Sequence, residues 1–170
     1  MSQPQSPEAS PLGKVSSYQT QYDASLLFPI ARQDKRSELG LTGTLPFFGI
    51  DIWNAYEVSW LNLRGKPQIA IATITVPADS PNIIESKSLK LYLNAFNQTR
   101  LAGTDALLTL LRADLSAGFA APVQITLTTP DQFGSLRLGE LDGMLLDRLD
   151  IEVDTYRPDP SLLTPPTTNR

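Results

Sequence analysis

The spacing of the apolar residues changes along this chain, and the change is the strongest constraint on its fold. Residues 55–62 and 68–76 are rich in β-branched and aromatic side chains and flank the turn-forming sequence LRGKP, so they predict a β-hairpin. In the first run Tyr56, Val58 and Trp60 lie two residues apart. This spacing predicts that the three side chains share one face of a half-buried strand.

After the hairpin the apolar spacing becomes helical. One amphipathic helix is predicted from residues at spacings i, i+3, i+4 and i+7, namely Leu89, Tyr92, Leu93 and Phe96. A second stripe of leucines lies between Thr104 and Gly118. We expect Thr104 to be the N-cap of this second helix and Gly118 its C-terminal cap.

Two further strands are predicted after the helices, at residues 123–129 and 146–153, which gives the order ββααββ. Strands grouped on both sides of a helix pair are typical of the α+β class, because a parallel sheet requires strands and helices to alternate. We therefore expect an antiparallel sheet with both helices on one face.

The ends of the chain differ in composition from its middle. The content of 41% hydrophobic and 19% charged residues is that of a globular protein, while the 14 prolines concentrate toward both ends. We predict a disordered tail at 1–11, one domain at 12–156 with an irregular arm at 22–49, and a Pro/Thr-rich linker stub at 157–170 whose second domain is absent.

Several classes of function are excluded by what the sequence lacks. Without cysteine or histidine there is no thiolate nucleophile, no zinc site and no Ser-His-Asp catalysis in this chain, and we predict no metal. A net charge of −4 without a basic run argues against nucleic-acid binding. No signal peptide or membrane-spanning run is present, so we expect a soluble, cytoplasmic protein that does not bind membranes.

The segment 80–94, SPNIIESKSLKLYLN, carries the candidate site. Here a turn delivers Glu85, Ser86 and Lys87 to the start of the first helix, where free N–H groups favour an anion. Lys87 and Lys90 add positive charge for a phosphate, and Glu85 can accept N–H donors of a purine-like ring. The alternative is that Glu85 only offsets the helix dipole and both lysines are solvated, and the spacing alone favours this alternative.

The same segment resembles a known signature. Residues 85–92 match, at all eight positions, the form Glu-Ser/Leu-Lys-Ser/Ala-apolar-Lys-Leu-aromatic of the 7-cyano-7-deazaguanine reductases. The runs YDASLLFPI at 22–30, LPFFGIDIWNAYEVSWLN at 45–62 and FNQTR at 96–100 are similar to the two-domain branch of that family. The likeness covers nearly all of residues 12–156.

The resemblance implies a fold and an activity. Members have the tunnelling fold, whose unit has the order ββααββ, and the two-domain branch carries two units in tandem in an enzyme expected to be a homo-oligomer. They use two NADPH to reduce the nitrile of 7-cyano-7-deazaguanine to an aminomethyl group on the route to queuosine in tRNA. By position, Ile84, Glu85 and Ser86 would contact the substrate, and Ser86 with Lys87 would contact NADPH.

The chain departs from the family pattern in what it omits. The resemblance implies a nucleophilic cysteine and a proton-donating aspartate in the second unit, so we expect no catalytic residue here and no activity from the isolated chain. Its partner would be a missing or separately encoded cysteine-bearing half. An alternative is a non-catalytic tunnelling-fold binding module for a purine- or pterin-like ligand. We expect Trp53, Tyr56 and Trp60 to be core residues rather than a stacking surface for a heterocycle.

Overall fold

The structure, a computed structural model, describes residues 6–14, 19–137 and 139–162, and the chain divides into two units, Met1–Leu136 and Arg137–Arg170. The strands of the first unit are β1 Pro29–Ala31, β2 Ile50–Asn62, β3 Pro67–Pro77, β4 Asn82–Ile84, β5 Arg100–Leu101 and β6 Gln124–Thr128. Its α-helices are α1 Arg32–Glu38, α2 Ser86–Asn94 and α3 Thr104–Phe119.

The predicted hairpin is confirmed as the antiparallel pair β2 and β3. Its turn is held by the Asn62 side chain, whose Oδ1 accepts from the amides of Arg64 and Lys66 at 2.9 Å each. Gly65 lies in the turn with a φ of +85°, a conformation that favours glycine. The hairpin is longer than predicted, because β2 begins at Ile50 rather than at residue 55.

A β-bulge interrupts β2 and corrects the prediction for its inward face. Ala55 pairs with Ala72 but Val58 pairs with Ala70, so β2 carries one extra residue between these pairs. The bulge breaks the alternation, so Tyr56 does not share the buried face of Val58 and Trp60. Tyr56 is 78% exposed while Trp60 is 2% exposed.

The main sheet has the strand order β5-β2-β3-β6 and is mixed rather than purely antiparallel. The pairs β2–β3 and β3–β6 are antiparallel, and the short pair β2–β5 is parallel. A separate antiparallel pair joins β1 to β4. The segment 22–49, predicted to be irregular, therefore contains β1, α1 and the 3₁₀ turn Ala24–Leu26.

Both predicted helices pack on one face of the hairpin. The buried cluster combines inward residues of β2 and β3 with residues of α2 and α3, as expected for the α+β class. Its members include Val58, Trp60, Ala70, Ala72, Ile74, Val76, Leu89, Tyr92, Phe96, Leu107, Leu111, Leu115 and Phe119.

The ends of α3 differ from the prediction. Gly103 is the N-cap and Thr104 is the first helical residue. Gly118 lies inside the helix, and Ala120 is the C-cap in the left-handed conformation, with a φ of 54°. A Cβ at Gly118 would lie 2.9 Å from Ile84 Cδ1, so the glycine permits close packing rather than ending the helix.

The second unit contains, among its described residues, the 3₁₀ turn Pro160–Leu162 and no strand. The strand predicted at 146–153 is therefore not formed. A strand needs a hydrogen-bonded neighbour, and period-two alternation alone does not supply one. Within the predicted tail, residues 1–5 lie outside the described part while Pro7–Ala9 forms a 3₁₀ turn, and residues 163–170 of the predicted linker also lie outside it.

Candidate functional site

The start of α2 is organised by Glu85, which follows β4 directly. With φ −62° and ψ 134° it is the N-cap of the helix. Its Oε1 accepts from the amide of Lys87 and its Oε2 from the amide of Ser88, both at 2.7 Å. The carboxylate thus occupies two of the N–H groups that we expected to attract an anion, so the helix N-terminus is already neutralised by its own chain.

Ile84 and Glu85 are both buried, in different surroundings. Ile84 is 1% exposed and its side chain packs against Gly118 of α3, so it faces the core. Glu85 is 8% exposed, and its amide donates to the carbonyl oxygen of Phe28 at 3.0 Å. A carboxylate has about four acceptor positions, and three donors reach Glu85, the third being Ser86 Oγ at 3.4 Å.

Ser86 faces a cleft between the bulged part of β2 and α2, with a volume of about 390 Å³. Its walls are formed by Trp53, Asn54, Ala55, Tyr56, Glu57, Ile74, Ser86, Leu89, Lys90, Leu93 and Asn94. The apolar side chains suit the face of a planar ring, and the serine, amide and charged side chains suit its polar edge or an attached anion.

Lys87 lies away from this cleft. Its Nζ donates to the carbonyl oxygens of Pro11 at 3.0 Å and Lys14 at 2.6 Å, so the N-terminal segment covers its ammonium group. Successive helical residues point in different directions, while residues four apart share a face, so Lys90 rather than Lys87 lines the cleft with Ser86.

The structure therefore does not bring the four predicted residues together around one cleft. Sequence reasoning noted Lys90 as a phosphate ligand but did not place Glu57 or Asn94 at the site, and it assigned Tyr56 to the core. The spacings of four and eight residues from Ser86 indicate Lys90 and Asn94. No local pattern indicates Tyr56, because its direction depends on the bulge.

A second polar group, the Tyr–Asp cluster of Tyr22, Tyr92 and Asp114, joins the N-terminal arm to α2 and α3. Both tyrosine hydroxyls donate to Asp114 Oδ2, at 2.8 and 2.7 Å. Burial is the main cause, and the hydrogen bond to Asp114 the second cause, of a pKa of Tyr22 raised to about 12. The same two causes raise the pKa of Tyr92. These hydroxyls stay protonated at neutral pH, so they position the arm rather than transfer protons.

Among the described residues no group of three or more His, Cys, Asp or Glu side chains is arranged to hold a metal ion. In the same part of the chain no helix is long and apolar enough to cross a membrane.

Comparisons with known proteins bear on this site. A relative from Cupriavidus metallidurans, named NADPH-dependent 7-cyano-7-deazaguanine reductase, is 64% identical over 160 residues, covering 93% of this chain and 58% of the relative. A relative of the same name from Ralstonia nicotianae is 62% identical, over 92% of this chain and 57% of the relative's length. Another from Burkholderia multivorans is 59% identical, over 93% of this chain and 58% of the relative's length.

The chain thus spans somewhat more than half the length of these relatives. The family model described as "Nitrile reductase, 7-cyano-7-deazaguanine-reductase N-term" matches residues 18–127, which include β1 to β6 almost completely. The resemblance to this family is confirmed by the match, and the chain belongs to the family of amino-terminal domains of 7-cyano-7-deazaguanine nitrile reductases.

Proposed function

We propose that this chain is the amino-terminal domain of an NADPH-dependent nitrile reductase that converts 7-cyano-7-deazaguanine to 7-aminomethyl-7-deazaguanine for queuosine in tRNA. The observation that carries the proposal is the 64% identity, over 93% of this chain, to a relative named for that activity. The chain would supply contacts to substrate and NADPH, and the nucleophile would come from the remainder of the enzyme, because residues 1–170 include no cysteine.

Substrate binding is assigned to Ile84, Glu85 and Ser86. Glu85 is fixed by its two amide donors, so its carboxylate has a defined orientation before any ligand arrives. Its remaining acceptor capacity suits the N–H edge of a deazaguanine ring. Ile84 would contribute through its main chain, because its side chain is buried in the core.

NADPH binding is assigned to Ser86 and Lys87, and the surrounding groups fit such a ligand. The Ser86 hydroxyl lies at the cleft, and the ammonium groups of Lys87 and Lys90 lie on the same helix. Since Glu85 neutralises the helix N-terminus, we assign the phosphate contacts to these lysines. Lys87 would exchange the carbonyl oxygens of Pro11 and Lys14 for a phosphate oxygen. NADPH supplies the hydride when bound.

The proposal includes the tunnelling fold. The elements β2, β3, α2, α3 and β6 follow the first five elements of its order ββααββ, and the sixth has no counterpart among the described residues. It also includes the domain limits 12–156, with the tail 1–11 and the linker 157–170. The complete enzyme is proposed to be a cytoplasmic homo-oligomer.

Complementation tests this function. The chain is mixed or co-expressed with the remaining part of the Cupriavidus metallidurans relative, which we expect to carry the cysteine, and NADPH oxidation is followed with and without 7-cyano-7-deazaguanine. We expect nitrile-dependent oxidation from the pair and none from either part alone.

Two outcomes contradict the proposal. Nitrile-dependent oxidation by the isolated chain would refute the assignment of the nucleophile to another segment. A stable pair that binds the deazapurine without oxidising NADPH would favour the alternative, a non-catalytic binding module. Calorimetry on the same samples separates a failure of association from a failure of turnover.

A further inference from the structure

The bulge in β2 determines where Tyr56 points. An uninterrupted β2 would direct Tyr56 to the buried face with Val58 and Trp60. The extra residue between the Ala55–Ala72 and Val58–Ala70 pairs instead leaves Tyr56 78% exposed. Such bulges change the direction of a side chain and occur preferentially beside binding sites.

Tyr56 lies at the cleft that contains Ser86. It forms part of one wall, and Ser86 and Lys90 form part of the wall contributed by α2. Among the described residues its hydroxyl has no hydrogen-bond partner. Neither its ring nor its hydroxyl therefore contributes much to the stability of this unit.

The other aromatic residues near this part of β2 have structural surroundings. Trp60 is buried in the core cluster. Trp53 also lines the cleft, but it is half-buried and packs against Phe119, with ring centroids 6.4 Å apart. Tyr56 is thus the cleft aromatic residue with the more exposed ring.

We propose that Tyr56 is a ligand-contacting residue, whose ring stacks on a planar aromatic heterocycle held in the cleft beside Ser86. The inference rests on the proposed function and adds a residue that neither the signature segment nor the predicted site contains. A volume of about 390 Å³ is large enough for one such ring. The ring is either the deazaguanine of the substrate or the nicotinamide of the cofactor.

Binding and kinetics of the chain complemented by its cysteine-bearing half test this inference. The variants are Tyr56→Ala, Tyr56→Phe and the matched control Ile52→Ala, which removes an exposed side chain of the same strand outside the cleft. Calorimetry measures the Kd of 7-cyano-7-deazaguanine and of NADP⁺ separately, and steady-state kinetics measures the KM for each substrate. Urea unfolding verifies that each variant folds.

Tyr56→Ala is expected to raise the Kd and KM of one of the two ligands by about 2- to 10-fold, the range typical of one aromatic stacking contact. Tyr56→Phe and Ile52→Ala should stay within about twofold of the unmodified protein. The ligand that loses affinity identifies the ring.

Unchanged affinity for both ligands in a folded, active Tyr56→Ala protein overturns this inference and leaves the proposed function standing. An unmodified protein that binds neither ligand overturns both.

Discussion

Replacing Glu85 by alanine tests whether this buried carboxylate, to which we assign a substrate contact, also stabilises the fold as the N-cap of α2. The change removes the acceptor of two amides, each 2.7 Å from a carboxylate oxygen. One of these amides belongs to Ser88, which is fully buried, so water cannot replace the lost acceptor. The substitution therefore leaves a buried donor unpaired.

The magnitude follows from these contacts. Loss of an N-cap acceptor costs about 1 kcal/mol, and loss of a negative charge at a helix N-terminus costs roughly a further 0.5 kcal/mol. Because the Ser88 amide is buried, the total cost should lie near the upper end of the range for N-cap substitutions, at about 2 kcal/mol. With a slope of roughly 2 kcal/mol per M, the urea midpoint should fall by about 1 M.

Urea unfolding followed by the fluorescence of Trp53 and Trp60 measures the effect. Glu85→Asp retains a preferred N-cap side chain and should stay within about 0.5 kcal/mol of the unmodified protein. Its carboxylate is one methylene shorter, so the proposed contact of Glu85 with the deazapurine predicts a weaker affinity for that ligand without a loss of stability. Glu57→Ala, which removes an exposed carboxylate, should also change stability by less than about 0.5 kcal/mol. A Glu85→Ala protein as stable as Glu57→Ala would refute the cap.

Further predictions concern other described contacts. A limiting amount of acetic anhydride should acetylate Lys87 roughly threefold less than Lys90, because two carbonyl oxygens hold the Lys87 ammonium group while Lys90 is exposed. Mass spectrometry measures the extent of acetylation at each lysine, and equal acetylation would contradict the contact of Lys87 with the N-terminal segment. Ala120→Gly should stabilise the protein by about 0.5–1 kcal/mol because the Ala120 backbone is left-handed, whereas Ala117→Gly inside α3 should destabilise it by about 1 kcal/mol. Calorimetric melting measures both changes, and shifts in Tm of the same sign would refute the left-handed C-cap at Ala120. The raised pKa of Tyr22 means that between about pH 10 and 12 the folded state keeps a proton that the unfolded state loses, so the stabilisation from this residue is complete below pH 10 and is lost toward about pH 12. Over that range the urea midpoint of Tyr22→Phe should fall less than that of the unmodified protein. Parallel plots of urea midpoint against pH for the two proteins would argue against the hydrogen-bonded cluster.

The elements of the first unit were predictable where a local pattern is enough to form them. Two β-prone runs around a turn predicted β2 and β3, and helical spacing of leucines and aromatics predicted α2 and α3. The strand predicted at 146–153 failed for a related reason. Its apolar residues alternate only from Leu149 to Val153, and a strand also requires a neighbour, which its own residues do not specify.

The site was only partly predictable. The signature at 85–92 located the start of α2 correctly, because a family motif is a property of the sequence itself. It did not show that Glu85 caps its own helix, that the ammonium of Lys87 is held by the N-terminal segment, or that Lys90 faces the cleft. The Lys87 contact joins segments 73 residues apart, and the direction of Lys90 follows from helix rotation. The Glu85 cap is instead a local contact, with the amides two and three residues ahead.

The sequence by itself determined the family, the hairpin, the helix pair and the lack of a thiol nucleophile, since each depends on residue identity or on short-range periodicity. Only the tertiary structure decided the direction of Tyr56 and the role of Gly118. The cross-strand register of β2 on β3 creates the bulge, and the close approach of Ile84 to α3 requires the glycine. Both result from packing between segments that are far apart in the chain, and such packing overrides local alternation and local capping rules.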